Sequence, residues 1–375
     1  MKINVIIKEL PACIVMARKV ALPHYQDLLR EIPATGAKVG QQYPDLKCTQ
    51  PEYCFVKELD GEYREKDIHA EICQAVETLK PNFDDVEFRK EPKVTAACAL
   101  LQGSYDLHIH PIPSHVPRLL DDFEVLAQAE EAGMAGVLLK NHYEPTGARA
   151  ILANRRGEGF RAKAYGAAVL NWPLGGLNPY AVHSALKMGA HVIFMPTRDA
   201  ANCLFHGDMP GDFFQREGIS LLDKQGNLRR EIYEIFEVVR SYRALLATGH
   251  ISPLESVLLC REGRRMGVRM VLTHPEWDRT TMDADTQAEL AQLGVYVEKC
   301  WYNIAEGNCT AESMASHIRT VGPEHCFLST DRGQSGRETP AEGMARFVQV
   351  LIKHGISAEN VTQMLRITPE DMLNR

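Results

Sequence analysis

The sequence has little of what marks a secreted, membrane-spanning or nucleic-acid-binding chain. Its ten cysteines are scattered, with no Cys-x-x-Cys pair. In a chain this long that predicts isolated thiols in a reducing compartment, not a disulfide framework. No apolar run approaches the roughly 18 to 20 residues that span a bilayer. The opening stretch, Met1-Lys2-Ile3-Asn4-Val5-Ile6-Ile7-Lys8-Glu9, breaks its apolar run with charge and has no signal-peptide core. Acidic residues outnumber basic ones, 49 to 42, for a formal net charge of −7. That balance argues against a nucleic-acid surface. No Pro/Gly/Ser-rich linker or low-complexity run divides the chain, and no Gly-x-Gly-x-x-Gly follows an early strand, which weakens a dinucleotide-binding reading. These absences leave a cytoplasmic globular protein, 45% hydrophobic and 24% charged, with no membrane and no nucleic acid among its partners.

A length of 375 residues suggests two domains, or one large barrel with an appendage. The pattern changes near residue 104. Before it, strand-like segments dominate, at 12–22, 53–58, 67–76 and 94–101, with one helical stretch at 25–38. After it, short apolar runs alternate with amphipathic segments of helical length. The expected strands are 105–110, 136–140, 164–170, 191–195, 244–248, 270–273, 295–298 and 326–330. Helices are expected between them at 121–132, 179–188, 229–245, 253–266, 284–293 and 310–321. Strand–helix alternation implies a parallel sheet, and eight units over this length fit a (β/α)8 TIM barrel better than an open sheet. The expected fold class is therefore α/β, a TIM barrel preceded by a small α+β domain.

The chemistry of such barrels sits at the C-terminal ends of the strands. Asp106-Leu107-His108-Ile109-His110 places two imidazoles at i and i+2, on one face of the first barrel strand. The second strand ends Lys140-Asn141-His142, and the fourth runs into Thr197-Arg198-Asp199-Ala200-Ala201-Asn202. His250 ends the fifth, His274-Pro275-Glu276 the sixth and Asp331 the eighth. One histidine after a strand is usually a hydrogen-bonded loop residue; four histidines and an aspartate at such ends point together to a metal. Neutral imidazoles hold a divalent ion without cancelling its charge, so it remains a Lewis acid that acidifies water. A carboxylate such as Asp331 can ligate the ion and accept the water's proton. Asp106 could share the face or orient a ligand imidazole. Lys140 could pair with an anionic substrate or with Asp331, be carboxylated into a ligand bridging two metals, or snorkel to the rim. Glu298 is left open between a barrel-interior polar group and an active-site contributor.

From about residue 104 onward these motifs resemble the amidohydrolase superfamily of metal-dependent barrel hydrolases, in a poorly characterised branch with an Asp-Leu-His-x-His opening. The stretches that carry the resemblance are 105–110, 138–146, 170–179, 195–202, 247–253, 273–276 and 329–334. It implies His108, His110, His250, His274 and Asp331 as metal ligands; Lys140, from its own place at a strand end, is a further candidate ligand. Many binuclear members carry a carboxylated lysine on the fourth strand, whereas the lysine here ends the second. The implied cofactor is a divalent metal, zinc first, as one or two ions. Residues 1–103 are similar to about half of a GyrI-like small-molecule-binding domain. Such a half-sheet has an edge and an apolar face to cover, by docking on the barrel or by pairing with a second copy in a homo-oligomer.

The functional expectation is a metal-dependent hydrolase using metal-activated water on a carbonyl (amide, ester or lactone-type) of a small polar substrate. Asp331 serves as the base, and His142, Arg198 and Asn202 as substrate contacts. The alternatives are a metal-dependent decarboxylase with similar ligands, and a non-catalytic small-molecule sensor built on the N-terminal module.

Overall fold

A computed structural model describes residues 100–209 and 215–374, the backbone of four strands before them, and Ala34, Ala37 and Gln41. The chain forms two compact units, Met1–Thr95 and Ala96–Arg375. In the first, β1 (Cys13–His24), β2 (Cys54–Glu58), β3 (Lys66–Val76) and β4 (Val86–Glu91) form an antiparallel sheet in the order β2-β3-β1-β4. The long central β1 pairs with β3 from Ile14↔Val76 to His24↔Lys66. Its other edge takes β4, from Cys13↔Glu91 to Arg18↔Val86. β4 was not expected from the sequence, and the strand expected at 94–101 lies mostly outside the described residues. Val86-Glu87-Phe88-Arg89-Lys90-Glu91 alternates too briefly to signal a strand by periodicity. The helix expected at 25–38 also lies mostly outside the described residues.

The second unit is a (β/α)8 barrel. Its strands are β5 (Tyr105–Ile109), β6 (Gly136–Leu139), β7 (Lys163–Val169), β8 (Ala190–Phe194), β9 (Leu245–Ala247), β10 (Arg269–Leu272), β11 (Tyr296–Cys300) and β12 (Cys326–Ser329). They pair in sequence order, all parallel. A parallel bridge between Ile109 and Arg332 joins the outer two and nearly closes the barrel. The pleat divides the apolar residues in two. Leu107, Leu138, Val169, Val192, Phe194, Leu245, Val271 and Phe327 fill the interior, with Met372 and Leu373 from the C-terminal helix. Ile109, Leu139, Ile193, Leu246, Leu272, Val297 and Leu328 face the helices.

Local sequence sets the helix starts. Asp121, Ser252 and Thr339 each form a capping box with a glutamate three residues on, worth about 1 kcal/mol of helix stability apiece. The helix expected at 229–245 stops at Ser241, because Arg243 turns left-handed (φ 52°) to release the chain into β9. Two glycines are required where the barrel is tightest. A Cβ on Gly249 (φ 63°) would lie 2.4 Å from the Met195 carbonyl, and one on Gly333 (φ 137°) 2.0 Å from the His110 carbonyl. Both flank residues at the barrel mouth. Among the described residues no helix is long and apolar enough to cross a membrane.

Candidate metal centre at the barrel mouth

The site lies where the barrel closes. His110 N donates to Arg332 O and Asp331 N to His108 O, each at 2.8 Å. The β5–β6 ladder slips between Asp106 and Ile109, and such irregularities re-aim side chains. His108 and His110 converge with ring centroids 5.2 Å apart. Their Nε2 atoms lie 3.5 and 2.9 Å from Asp331 Oδ1. His274, just past β10, brings its Nε2 to 3.7 Å from Asp331 Oδ2 and its ring to 4.8 Å from that of His108. His274 and Asp331 both have left-handed backbone (φ 49° and 52°). Non-glycine residues hold that conformation at a cost, typically at functional sites.

Glu298, left open from sequence, reaches the centre from β11. Its Oε1 accepts from His108 Nδ1 and from Ser329 Oγ, both at 2.7 Å, and its Oε2 from the His274 backbone N at 3.1 Å. With Glu298 Oε1 as acceptor, the His108 proton sits on Nδ1 and the Nε2 lone pair faces the mouth. Asp106 does not orient an imidazole as expected. It accepts from Thr330 Oγ1, from Thr330 N at 3.1 Å and from His108 N at 3.2 Å, tying β5 to the end of β12. Burial, working against those hydrogen bonds, raises its pKa to about 7.

The five imidazoles around the mouth are neutral at neutral pH. Burial, with Lys140 adding to it, lowers His108 to about 3, and burial lowers His274 to about 4. His110, His142 and His250 are likewise held well below 6.5 by burial. Burial pushes Asp331 up, but the facing His108 and the hydrogen bond from His110 pull harder, so it stays ionised. His108, His110 and Asp331 each offer a ligand atom within 4.8 Å of the others, and so do His108, His274 and Glu298, and His274, Cys300 and Asp331. His274 Nδ1 is buried with no hydrogen-bond partner among the described residues. Neutral imidazoles crowded around an ionised carboxylate, one with an orphaned nitrogen, fit a divalent cation.

Lys140 does not snorkel. It is 1% exposed, its Nζ lies 2.8 Å from His108 Nε2 and 4.6 Å over the Phe194 ring. Burial lowers its pKa to about 8, even with Asp331 and Glu298 favouring its charge. It donates to the lone pair that a cation would take, so ammonium and ion compete for His108 Nε2. His142 stacks on His110 at 4.7 Å and bonds Thr197 Oγ1 through Nδ1 at 2.8 Å. Asn171 sets that loop: its Oδ1 accepts from Thr197 N and Asp199 N, and its Nδ2 donates to Thr197 Oγ1 and His142 O.

A cavity of about 420 Å³ opens over these groups, lined by His110, Lys140, His142, Arg198, His250, His274 and Asp331. Two expected residues stand apart from the ligand cluster. His250 packs edge-on against Trp277 at 4.7 Å and belongs to none of the three metal-capable groups. Asn202 does not line the cavity; its Nδ2 donates to the carbonyls of His250 and Arg279 at 3.1 and 2.8 Å and so braces the loop. Sequence reasoning missed Arg118, Trp277 and Tyr302, which also line the cavity. Arg118 follows a Pro-rich loop with no strand-end signal, and it reaches the mouth only through tertiary folding.

Fold and site define a (β/α)8 barrel with a metal-type centre at the C-terminal ends of its strands. Residues 103–298 match a family of unknown function, DUF6282. That is more than half of the chain, and the chain belongs to this family. Comparison with curated proteins found no match. Among solved structures, the chain is similar to an amidohydrolase from Pseudomonas aeruginosa, 10% identical over 74% of this chain and 97% of that one, with a TM-score of 0.53. That likeness is one of fold. A protein from the engineering of organophosphate hydrolysis out of a weak promiscuous lactonase template aligns at 16% identity over 75% of this chain and 98% of its own, TM-score 0.47. EcmrR, solved in a DNA complex, is 35% identical over 23% of this chain, TM-score 0.22. The match spans 32% of the EcmrR chain.

Proposed function

We propose that the protein is a metal-dependent hydrolase that opens an amide, ester or lactone-type bond of a small polar substrate. The observation that carries this reading is the convergence of His108, His110 and His274 on the ionised Asp331, beneath a cavity large enough for a small molecule. His108, His110, His274 and Asp331 would hold the ion, with Glu298 fixing the His108 tautomer. A divalent ion bound there supplies Lewis acidity, polarising a carbonyl and acidifying water. Asp331, ionised at neutral pH, accepts the proton of the attacking water and passes it to the leaving group. Lys140, His142 and Arg198 face the substrate from the cavity wall and orient it.

The test is elemental analysis of the purified chain, followed by chelation and reloading with zinc, manganese or iron. The reading expects one or two equivalents of metal, a melting temperature that falls on chelation and recovers on reloading, and hydrolysis restored in step. A chain that takes up none of these metals, with unchanged stability, overturns it. Release of carbon dioxide from a substrate with no water incorporated would replace hydrolysis by decarboxylation at the same centre.

A further inference from the structure

Among the described residues four cysteines are buried, and one keeps different company from the rest. Cys203, Cys260 and Cys326 belong to the apolar core between sheet and helices, and Cys309 packs against it. Cys300 is 0% exposed, yet it belongs to neither apolar cluster of the barrel. It ends β11 two residues after Glu298, so both side chains point into the barrel while Lys299 between them points out. Ser329, the Tyr302 backbone, Glu298 and Asp331 are the groups that act on its sulfur. A thiol that served packing alone would sit among apolar side chains. β11 lies between β10 and β12 in the sheet, so Cys300 rises between the strand that leads to His274 and the one that leads to Asp331. The three residues each offer a ligand atom within 4.8 Å of the others. Asp331 has an oxygen for each side of the centre: Oδ1 meets His110 Nε2 at 2.9 Å, and Oδ2 faces His274 Nε2 at 3.7 Å. Small side-chain shifts let such a trio share one ion, with bonds of about 2.3 Å to sulfur and about 2.1 Å to nitrogen.

Resting on the metal centre proposed above, but not on hydrolysis, we propose that Cys300 is a ligand of the ion, bound as thiolate beside His274 and Asp331. On ligation the S–H bond breaks, the proton leaves to solvent, and a sulfur lone pair forms the bond to the metal. Burial and the neighbouring Glu298 and Asp331 push the thiol up. A divalent cation beside it inverts that balance, and a coordinating thiol is deprotonated outright. The consequence is selectivity. Carboxylate and imidazole accept a wide range of divalent ions, whereas a soft thiolate turns the centre towards zinc and away from magnesium, calcium and manganese.

The probe is cobalt(II), added to the full chain after chelator treatment, with absorption read from the near ultraviolet into the visible. A cobalt–thiolate bond gives an intense charge-transfer band in the near ultraviolet, which nitrogen and oxygen ligands do not give. Wild type is expected to show that band, and Cys300→Ser to lose it while keeping the weaker visible bands of bound cobalt. Cys203 Sγ lies 3.9 Å from His250 Nδ1, so Cys203→Ser is the control, and the band should survive it. In competition with a chelating dye, Cys300→Ser should weaken zinc by at least the about 10- to 100-fold that losing a ligand's supporting partner costs, and manganese by much less. Should Cys300→Ser fail to fold, zinc-edge X-ray absorption of wild type and Cys203→Ser decides, since among the described residues no other cysteine joins a metal-capable group. A sulfur neighbour at about 2.3 Å in both supports the assignment; none, or one lost with Cys203, overturns it. Cobalt bound without the band, or a band that outlives Cys300→Ser, overturns the proposal and leaves the hydrolase reading standing. A Cys300-dependent band in a chain that cleaves no amide, ester or lactone does the reverse. A chain that takes up no cobalt, zinc or manganese overturns both.

Discussion

Two buried groups of ionisable side chains grow from the same two strand ends and have opposite characters. The loop after β10 gives His274 to one and Glu276 to the other, two residues on. β11 gives Glu298 to one and Lys299, the next residue, to the other. On the outer face, Lys299 Nζ meets Glu276 Oε1 at 2.5 Å and Gln287 Oε1 at 2.6 Å, and His317 Nδ1 lies 3.1 Å from the same Glu276 oxygen. That group supplies its own cation. Burial pushes Glu276 up, but Lys299 pulls it below the usual carboxylate range. At the mouth His274 Nδ1 has no hydrogen-bond partner among the described residues, with Glu298 Oε2 4.0 Å away, and the histidines are neutral. The outer group, although Glu276 Oε2 is also buried without a hydrogen-bond partner, ties sheet to helices through an ion pair; the mouth, where Lys140 is the cation on His108 Nε2, has ligand atoms that could hold a metal instead.

The comparison is sharpened first at the chemistry. Asp331→Asn should lower turnover about 10²- to 10⁴-fold, the usual contribution of a general base, while metal content stays near wild type. It is measured on any amide or ester the wild type cleaves, and undiminished turnover would sink Asp331 as the base. On the outer face the effect should fall on stability instead. Glu276→Leu leaves Lys299 buried and alone, which should cost about 3–5 kcal/mol in urea unfolding, with metal uptake unchanged. Adding Lys299→Met should recover most of the loss; a double variant as unstable as the single one would mean that the pair is not what ties sheet to helices.

Glu298→Gln removes the charge and turns one of the two oxygens that accept from His108, Ser329 and the His274 backbone into a donor. It should weaken metal affinity about 10- to 100-fold in competition with a chelating dye, whereas Gln287→Leu on the outer face should leave that affinity alone. Equal effects would erase the distinction between the two groups.

Acid should separate the groups by window. His274 has a pKa near 4 in the fold against 6.5 unfolded, so the unfolded state binds more protons in between. Its contribution to metal-free stability is complete above pH 6.5 and is lost as the pH falls towards 4, at no more than about 1.4 kcal/mol per pH unit for one proton. Glu276, held below 4.5, loses its contribution only at lower pH. Unfolding free energies of metal-free protein should therefore slope between pH 6.5 and 4.5, and His274→Asn should reduce that slope by about one proton's share, since His108, His110, His142 and His250 are shifted the same way. A flat wild-type profile there would contradict neutral imidazoles at the mouth.

Much of this was legible without coordinates. All eight expected barrel strands coincide with observed ones to within two residues at each end, because a parallel strand buried on both faces reads as a short apolar run between helical periodicities. His108, His110, His274 and Asp331 were legible for the same reason, as polar residues placed just where those runs end. Glu298 and Lys299 were not separable, since neighbouring residues on a strand point to opposite faces and only the barrel says which face is inside. β4 escaped for want of periodicity, and Arg118 because its loop carries no positional rule.

The sequence by itself therefore determined the order of strands and helices in the barrel and the residues that end its strands, since both follow from local periodicity and spacing. Tertiary structure decided what those residues do to one another. It put Lys140 on the lone pair of His108, gave His108 its tautomer through Glu298, and turned His250 and Asn202 to the wall and the brace. It also clasped Arg118 to Gln334 across more than two hundred residues of chain. Those outcomes depend on distances and burial between remote segments, and hydrogen bonds and ion pairs form through space rather than along the sequence.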